Sequence, residues 1–203
     1  MMKRAIYTVA FLFFLGAWTG HKGIIQEPSE PSAMLAATPA STEAPAPTAD
    51  AQTGFSDKEM VDRHNHWRSE VGAPNLRWSE SLTAHAQEWA DELASLGCNM
   101  VHRDQDQYGE NLTRFAPRRS SSGQRSLQTV TPTQVVDGWA DEKQWYSHGA
   151  NRCQAGQVCG HYTQVVWSST REVGCAKAVC ADQSQIWVCN YDPQGNIAGQ
   201  KPY

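Results

Sequence analysis

Four residues of this 203-residue chain have side chains suited to acid–base or metal chemistry, and they lie far apart in the sequence. His102 and His161 can act as bases or as metal ligands, and Glu110 and Glu142 can orient such groups or carry protons. Glu110 and His161 each follow a glycine. Each of the four alone is more often structural than functional, so a site exists only if the fold brings them together.

The chain contains no local catalytic signature. It has no H-E-x-x-H, no G-x-S-x-G, no glycine-rich phosphate loop and no C-x-x-C. No serine stands in a recognisable nucleophile setting, so a hydrolytic reaction would need water as its nucleophile. His102 or His161 is the candidate base, with Glu110 as its partner.

Glu142 stands at an unusual position in a predicted helix. Thr131 followed by Pro132 predicts a helix start. A carboxylate on a buried face is costly unless it is paired, hydrogen-bonded or bound to a metal. Either Glu142 belongs to a site, or it bonds to backbone at the edge of the apolar face. The predicted apolar face comprises Val135, Trp139, Glu142 and Tyr146.

Two further helices are predicted ahead of this one. Ser56 and Glu59 form a capping-box pattern, and the first helix should end before Gly72. A second helix should begin near Ser79 and end at Gly97 as a left-handed cap. Their apolar faces are Met60, His64, Trp67 and Val71 in the first helix, and Leu82, Ala86, Trp89, Leu93 and Leu96 in the second.

The remaining segments indicate strands and one loop. Residues 112–136 contain four arginines and no acidic residue, which predicts a long exposed loop. Residues 162–167 are largely apolar or aromatic on both alternating faces and predict a central strand. Residues 175–180 and 186–191 flank a polar turn and predict an antiparallel hairpin. The expected class is α+β, with helices packed on a small, mainly antiparallel sheet.

The sequence of residues 1–54 indicates that the protein is exported. Lys3 and Arg4 precede an uncharged apolar run at residues 5–18, which indicates a signal peptide over residues 1–20. The run is short for a membrane span, but its cleavage signal is only fair, so an uncleaved anchor is the alternative. Residues 21–54 are rich in Pro, Ala and Thr and predict a disordered linker. One domain should occupy residues 55–203.

All six cysteines fall within the predicted domain. An even number of cysteines in an exported protein indicates disulfides, and their spacings are too long for the close pairs typical of structural zinc sites. The formal net charge of −4 is mild and spread along the chain, which disfavours nucleic acid as a partner. The expected localisation is secreted and extracellular, or periplasmic in a bacterium.

Five motifs follow one another along the predicted domain. They are Asn99-Met-Val-His102, Gly109-Glu-Asn-Leu112, Cys159-Gly-His-Tyr-Thr-Gln-Val-Val-Trp167, Gly174-Cys175 and Val188-Cys-Asn-Tyr-Asp-Pro-Gln-Gly-Asn196. In this order they resemble the CAP superfamily and, within it, the plant pathogenesis-related 1 proteins, and the resemblance covers residues 55–203. Two features depart from typical plant members: the Arg/Ser-rich loop after Leu112 is longer, and Trp187 replaces a smaller apolar residue.

The resemblance implies an α-β-α sandwich with a large cleft. Carried over by motif, the residues that line this cleft are His102, Glu110, Glu142 and His161. Two imidazoles and two carboxylates could hold a divalent metal such as zinc, with His102 and His161 as ligands and water completing the shell. No cofactor is required by this hypothesis.

The disulfide pairing can be predicted for the hairpin and its neighbours. Cys175 and Cys189 should lie opposite each other across the turn. Cys153 and Cys159 can close a short local loop, which leaves Cys98 for Cys180. The resemblance implies the same three pairs.

Three functions remain open for such a domain. The first is a non-catalytic binder of a small apolar ligand, a sterol or fatty acid, with a role in defence or antimicrobial activity. The second is a metal-dependent hydrolase or protease that uses the four-residue cleft. The third is a cell-surface or membrane-contacting module that works through the basic loop. The first is favoured over catalysis, and a monomer is expected.

Overall fold

The computed structural model of the chain describes residues 54–104 and 107–203. The predicted signal peptide and nearly all of the predicted linker lie outside these residues. Within the described part, no helix is both long and apolar enough to cross a bilayer.

The first two helices form where the sequence predicts them. Helix α1 spans Asp57–Ser69, and its N-cap Ser56 accepts a hydrogen bond from the backbone of Glu59. The side chain of Glu59 does not return the bond, because it accepts instead from the backbone and hydroxyl of Thr133. Helix α2 spans Glu80–Ser95 and is followed by Gly97 with a φ of 81°.

The predicted third helix is shorter than expected. Helix α3 spans Pro132–Ala140 and begins with a complete capping box between Thr131 and Gln134. The chain then tightens into a 3₁₀ helix over Asp141–Trp145. The prediction of one continuous apolar face was therefore wrong for its last two members, because Glu142 lies in the 3₁₀ helix and Tyr146 begins a short strand.

A four-stranded sheet forms the middle layer. Strand β1 (Arg77–Trp78) pairs in parallel with a long strand, β7 (Glu172–Val179). Strand β8 (Gln185–Asp192) pairs antiparallel with β7 and with the edge strand β2 (Gly109–Phe115). The sheet order is β1-β7-β8-β2, so the predicted hairpin and the mainly antiparallel sheet are confirmed.

The predicted central strand at residues 162–167 is wrong. Residues 162–165 lie in a short helix, α4 (Gly160–Val165), Val166 caps this helix and Trp167 follows it, and all six residues are buried. A short apolar run looks the same whether it is a buried strand or a buried helical turn, so periodicity alone cannot separate the two.

The predicted loop at residues 112–136 is also partly wrong. Its first residues complete β2, and a small hairpin follows, formed by β3 (Arg118–Arg119) and β4 (Arg125–Ser126). A second small hairpin pairs β5 (Tyr146–Ser147) with β6 (Arg152–Cys153).

Two hydrophobic clusters cover the two faces of the sheet. Helix α2 packs on one face against the side chains of Ala176, Ile186 and Val188. Helices α1, α3 and α4 pack on the opposite face of the sheet, against the side chains of Cys175, Trp187 and Cys189. At Gly174 an added Cβ would lie 2.3 Å from the backbone N of Thr83, so glycine permits the close approach of α2 to the sheet.

Three disulfides cross-link the domain. They join Cys98 to Cys180, Cys153 to Cys159, and Cys175 to Cys189. These are the predicted pairs, and Cys175 and Cys189 are direct partners in the sheet register. No cysteine remains as a free thiol, so the competing zinc-thiolate hypothesis fails. Three disulfides are typical of proteins that fold in an oxidising compartment.

Candidate functional site

His161 and Glu142 form the first of two histidine–carboxylate pairs. The Nδ1 atom of His161 lies 2.6 Å from Oε1 of Glu142. Oε2 of Glu142 accepts hydrogen bonds from the backbone N–H groups of His161 and Tyr162 at 2.9 and 3.2 Å. These N–H groups belong to the first turn of α4 and have no acceptor within the helix, so a carboxylate at this position stabilises them. Glu142 therefore both orients His161 and anchors the helix that carries it.

His102 and Glu110 form the second pair. The Nδ1 atom of His102 lies 2.8 Å from Oε1 of Glu110, which also accepts from the backbone N–H of Arg103 at 3.1 Å. The guanidinium of Arg103 bonds to the backbone of His85 and to Glu88, so helix α2 holds this segment in place. The carboxylate is 5% exposed and the imidazole 63% exposed. The pair thus joins a buried carboxylate to an accessible imidazole.

One residue connects the two pairs. Asn111 follows Glu110 on β2, and its Nδ2 atom donates to the backbone carbonyl of His161 at 3.1 Å. Asn111 is 1% exposed, so its side chain serves the interior of the fold. The edge strand β2 therefore positions both histidines.

A buried polar network lies beneath His161. Nδ1 of His64 faces the carbonyl of Met60 at 2.8 Å and must donate its proton, because a carbonyl only accepts. Its Nε2 then accepts from the hydroxyl of Tyr191 at 2.9 Å, and that oxygen accepts from Nδ2 of Asn111 at 3.2 Å. The network runs without a break from α1 through β8 to β2.

The histidines differ in pKa because their surroundings differ. The hydrogen bond to Glu110 raises the pKa of His102, although partial burial acts against it. Complete burial lowers the pKa of His64 to about 4, against a smaller raising effect from its bond to Met60. His64 is therefore neutral near pH 7, whereas the pKa of His102 is shifted in the opposite direction, above its ordinary value.

Arg68 is the buried group that sequence reasoning missed. Its guanidinium is fully buried and donates to the carbonyls of Pro74, Val165, Trp167 and Thr170 at 2.6 to 3.0 Å. Burial lowers its pKa to about 10, so it stays charged at neutral pH. It lies four residues after His64 on α1, on the same helix face, and that spacing was the available signal.

The structure brings the four predicted residues together as two separate pairs, and each pair leaves one imidazole nitrogen without a hydrogen-bond partner in the described part of the chain. Each imidazole uses Nδ1 for its carboxylate, and within residues 54–104 and 107–203 neither Nε2 atom has a hydrogen-bond partner. A carboxylate behind Nδ1 is the usual support of a metal-ligating histidine. However, no group of three or more His, Cys, Asp or Glu side chains in the described residues is placed to hold a metal ion.

A separate cavity of about 360 Å³ opens between the start of α1 and the sheet. Much of its wall is apolar, and Leu127 and Val179 are each 46% exposed. The ammonium of Lys177 lies 5.7 Å from the ring centre of Phe55 and 5.0 Å from that of Trp187. The apolar residues of the wall are Phe55, Leu127, Val130, Pro132 and Val179.

Comparison with known proteins places this fold and these motifs in one family. Residues 61–191 match the cysteine-rich secretory protein (CAP) family, within the predicted domain 55–203. Pathogenesis-related protein 1B of Nicotiana tabacum is 44% identical over 148 residues, which are 73% of this chain and 81% of that protein.

Solved structures show the same fold at lower identity. BmVAL-1 is 23% identical with a TM-score of 0.60, over 79% of this chain and 86% of that one. NaASP2, solved with Zn²⁺, is 21% identical with a TM-score of 0.56, over 75% of this chain and 88% of that one. The predicted α-β-α sandwich is thereby confirmed. The chain belongs to the CAP family and is similar to its plant pathogenesis-related 1 members.

Proposed function

We propose that this protein is a secreted, pathogenesis-related-1-like binding protein that holds one fatty acid or a similar apolar ligand with an acidic end. A volume of about 360 Å³ lies within the range typical of small-molecule sites. The apolar wall would cover a hydrocarbon chain. A defence role would follow if the ligand were taken from another organism's membrane.

The setting of Lys177 carries this proposal. Its ammonium lies against two aromatic rings and donates to the carbonyl of Gly54 at 2.8 Å, and burial lowers its pKa. No carboxylate of the described residues pairs with it within 4 Å. The one acidic residue of the wall, Glu59, bonds to Thr133 instead. A ligand carboxylate would supply the missing counter-ion within this apolar cavity, which is called the ligand groove from here on.

Titration of the full-length protein with a fluorescent fatty acid tests the proposal. We expect one ligand per chain, with affinity reduced roughly tenfold in Lys177→Met, which keeps the apolar stem and removes the charge. Val179→Asp should abolish binding, and Arg77→Gln, an exposed basic residue elsewhere, is the control. If Lys177→Met and Val179→Asp both bind like the parent, the assigned groove is wrong. Sterol binding unaffected by Lys177→Met would point to a neutral ligand.

The paired histidines support a second candidate, reversible binding of a divalent cation. His102 and His161 would hold the ion through Nε2, with their carboxylates orienting them and water completing the shell. The structure of NaASP2 with Zn²⁺ supports a search for zinc in this family fold. When bound, such an ion lowers the pKa of a coordinated water, which is the chemistry the hydrolase alternative would require.

Calorimetric titration with zinc tests this second candidate. We expect a one-to-one isotherm that His102→Ala and His161→Ala each abolish, with little change in Tm when metal is absent, because three disulfides and a core already hold the domain. His66→Ala is a matched control, since His66 also lies near a carboxylate, at 3.6 Å from Glu70. Unaltered zinc binding in both cleft variants would contradict the assignment.

A further inference from the structure

The small β3–β4 hairpin presents a cluster of positive charge that the proposed ligand groove does not use and that the fold compensates only in part. Arg118, Arg119 and Arg125 are exposed on its two strands, and Arg114 is exposed on β2 just before it. Residues 111–136 contain no Asp or Glu, in a chain whose formal net charge is −4. The cluster is therefore a local feature and not a consequence of overall composition.

The charges of the hairpin are incompletely compensated. Asp182 reaches Arg114 at 3.1 Å and Arg125 at 3.7 Å. Within the described residues, Arg118 and Arg119 have no carboxylate within 4 Å. In the strand register Arg119 stands directly opposite Arg125, and like charges at such a position destabilise a strand pair. An arrangement that costs stability and leaves two cations unpaired is explained if an external anion binds there.

Hydrogen bonds within the hairpin fix both its tip and its base. At its tip, the backbone N–H of Ser120 donates to the carbonyl of Gln124 at 2.9 Å, and the N–H of Gly123 donates back to Ser120 at 3.0 Å. Gly123 has a φ of 81°, which this turn requires. At the base, the side chain of Gln128 bonds to the carbonyl of Ala116 at 2.9 Å. The arginines are thus presented on a preformed ribbon, which reduces the entropy lost on binding.

The composition of the hairpin selects among anionic partners. Guanidinium groups pair in a two-pronged manner with carboxylate, sulfate or phosphate groups. Residues 116–127 contain no aromatic ring to stack on a nucleobase, and Leu127 is their only large apolar residue, too little for insertion into a membrane. The tip instead offers the hydroxyls of three serines at residues 120–122, which suit hydrogen bonding to sugar hydroxyls.

We propose that the β3–β4 hairpin binds an acidic polysaccharide, a linear polymer of carboxylated or sulfated sugars. The exposed arginines contact successive anionic groups along the polymer, and the serine tip contacts the sugar hydroxyls. This interaction is independent of the apolar groove and of the cleft, and it would retain the protein at a cell surface or in an extracellular matrix.

Binding of the full-length protein to immobilised polygalacturonate and to heparin tests the proposal and separates carboxylate from sulfate recognition. The Arg118→Gln/Arg119→Gln double variant should bind on the order of 10- to 100-fold more weakly, because two charge-assisted contacts are lost. Its affinity should also depend less steeply on salt concentration. The matched control is Arg77→Gln/Arg152→Gln, which removes two exposed arginines elsewhere and should bind like the parent.

Stability measurements separate loss of binding from loss of fold. Arg119→Gln should leave the Tm unchanged or raise it, because it removes a like-charge pair. Hairpin-dependent binding to either polymer supports the proposal and names the anion. The proposal is overturned if the parent binds neither polymer, if the control variant loses as much affinity, or if anionic phosphatidylserine vesicles or DNA bind more tightly than both polymers through the same arginines.

Discussion

The buried network and the His102–Glu110 pair use histidine in opposite ways. His64 is fully buried with neutral partners on both ring nitrogens, and burial lowers its pKa to about 4. His102 is largely exposed beside a carboxylate, and its pKa is raised. An interior imidazole between neutral partners stays uncharged and serves the fold. A surface imidazole beside a carboxylate can change charge near neutral pH and remains available for a ligand.

Arg68 extends the buried region and gives the largest expected effect. In Arg68→Met, four main-chain carbonyls lose their donor, and buried acceptors without partners are costly. We expect a loss on the order of 4 kcal/mol in the free energy of unfolding, measured by urea denaturation. Arg77→Met, at a residue with a 78% exposed side chain, should change it by less than about 0.5 kcal/mol. A loss in Arg68→Met no larger than in Arg77→Met would contradict the assigned role.

The pH dependence of stability should have opposite signs for His64 and His102. The folded pKa of His64 lies below the unfolded value of 6.5, so the unfolded state takes up its proton first as the pH falls. Stability is therefore lost between pH 6.5 and about 4, by roughly 3 kcal/mol at pH 4 from this residue alone. His64→Gln should lack this component, so the difference between the two stability curves should narrow toward acid pH.

His102 should show the opposite sign. Its folded pKa is raised, so its contribution to stability is present below the unfolded pKa and disappears as the pH rises through the folded value. The His64 prediction has its own contradicting outcome. If the stability curves of the parent and of His64→Gln run parallel from pH 7 to 4, the buried histidine does not cause the loss of stability in acid.

The smallest expected effect is a change in the pKa of His102 when its partner Glu110 is altered. It is measured by titration and not by a change in stability. By NMR, the imidazole of His102 should titrate above 6.5 in the parent, and in Glu110→Gln its pKa should fall, because the neutral amide no longer favours the imidazolium. Glu88→Gln is the control, because Glu88 bonds to Arg103 and not to His102. An equal titration in parent and Glu110→Gln would show that the pair does not exist in solution.

Much of the scaffold could be predicted from local sequence. The caps at Ser56 and Thr131, the glycine at Gly97 and the alternating strands around residues 182–184 each specify an element through its own backbone chemistry. The disulfide between Cys175 and Cys189 follows from the register of that hairpin. These signals are local, so they do not depend on knowing the rest of the fold.

The site was accessible to sequence only as a set of candidates. The resemblance named His102, Glu110, Glu142 and His161, but their pairing, each histidine with its own carboxylate, could not be predicted from the motifs. The sequence left open whether Glu142 pairs with a candidate site residue or with backbone. The structure shows that it bonds to both, because its two carboxylate oxygens face different groups, Nδ1 and the backbone N–H of His161.

The sequence by itself determined the helix caps, the hairpin, the family motifs and the basic character of residues 112–136. Tertiary structure alone decided that residues 160–165 form a helix, that Arg68 is satisfied by four carbonyls, and that Asn111 joins β2 to His161. The physical reason is the distance along the chain between the interacting residues. Caps and turns are fixed by neighbours a few residues away, whereas a buried polar group takes its partners from distant segments, as His64 does from Tyr191, 127 residues further along the chain.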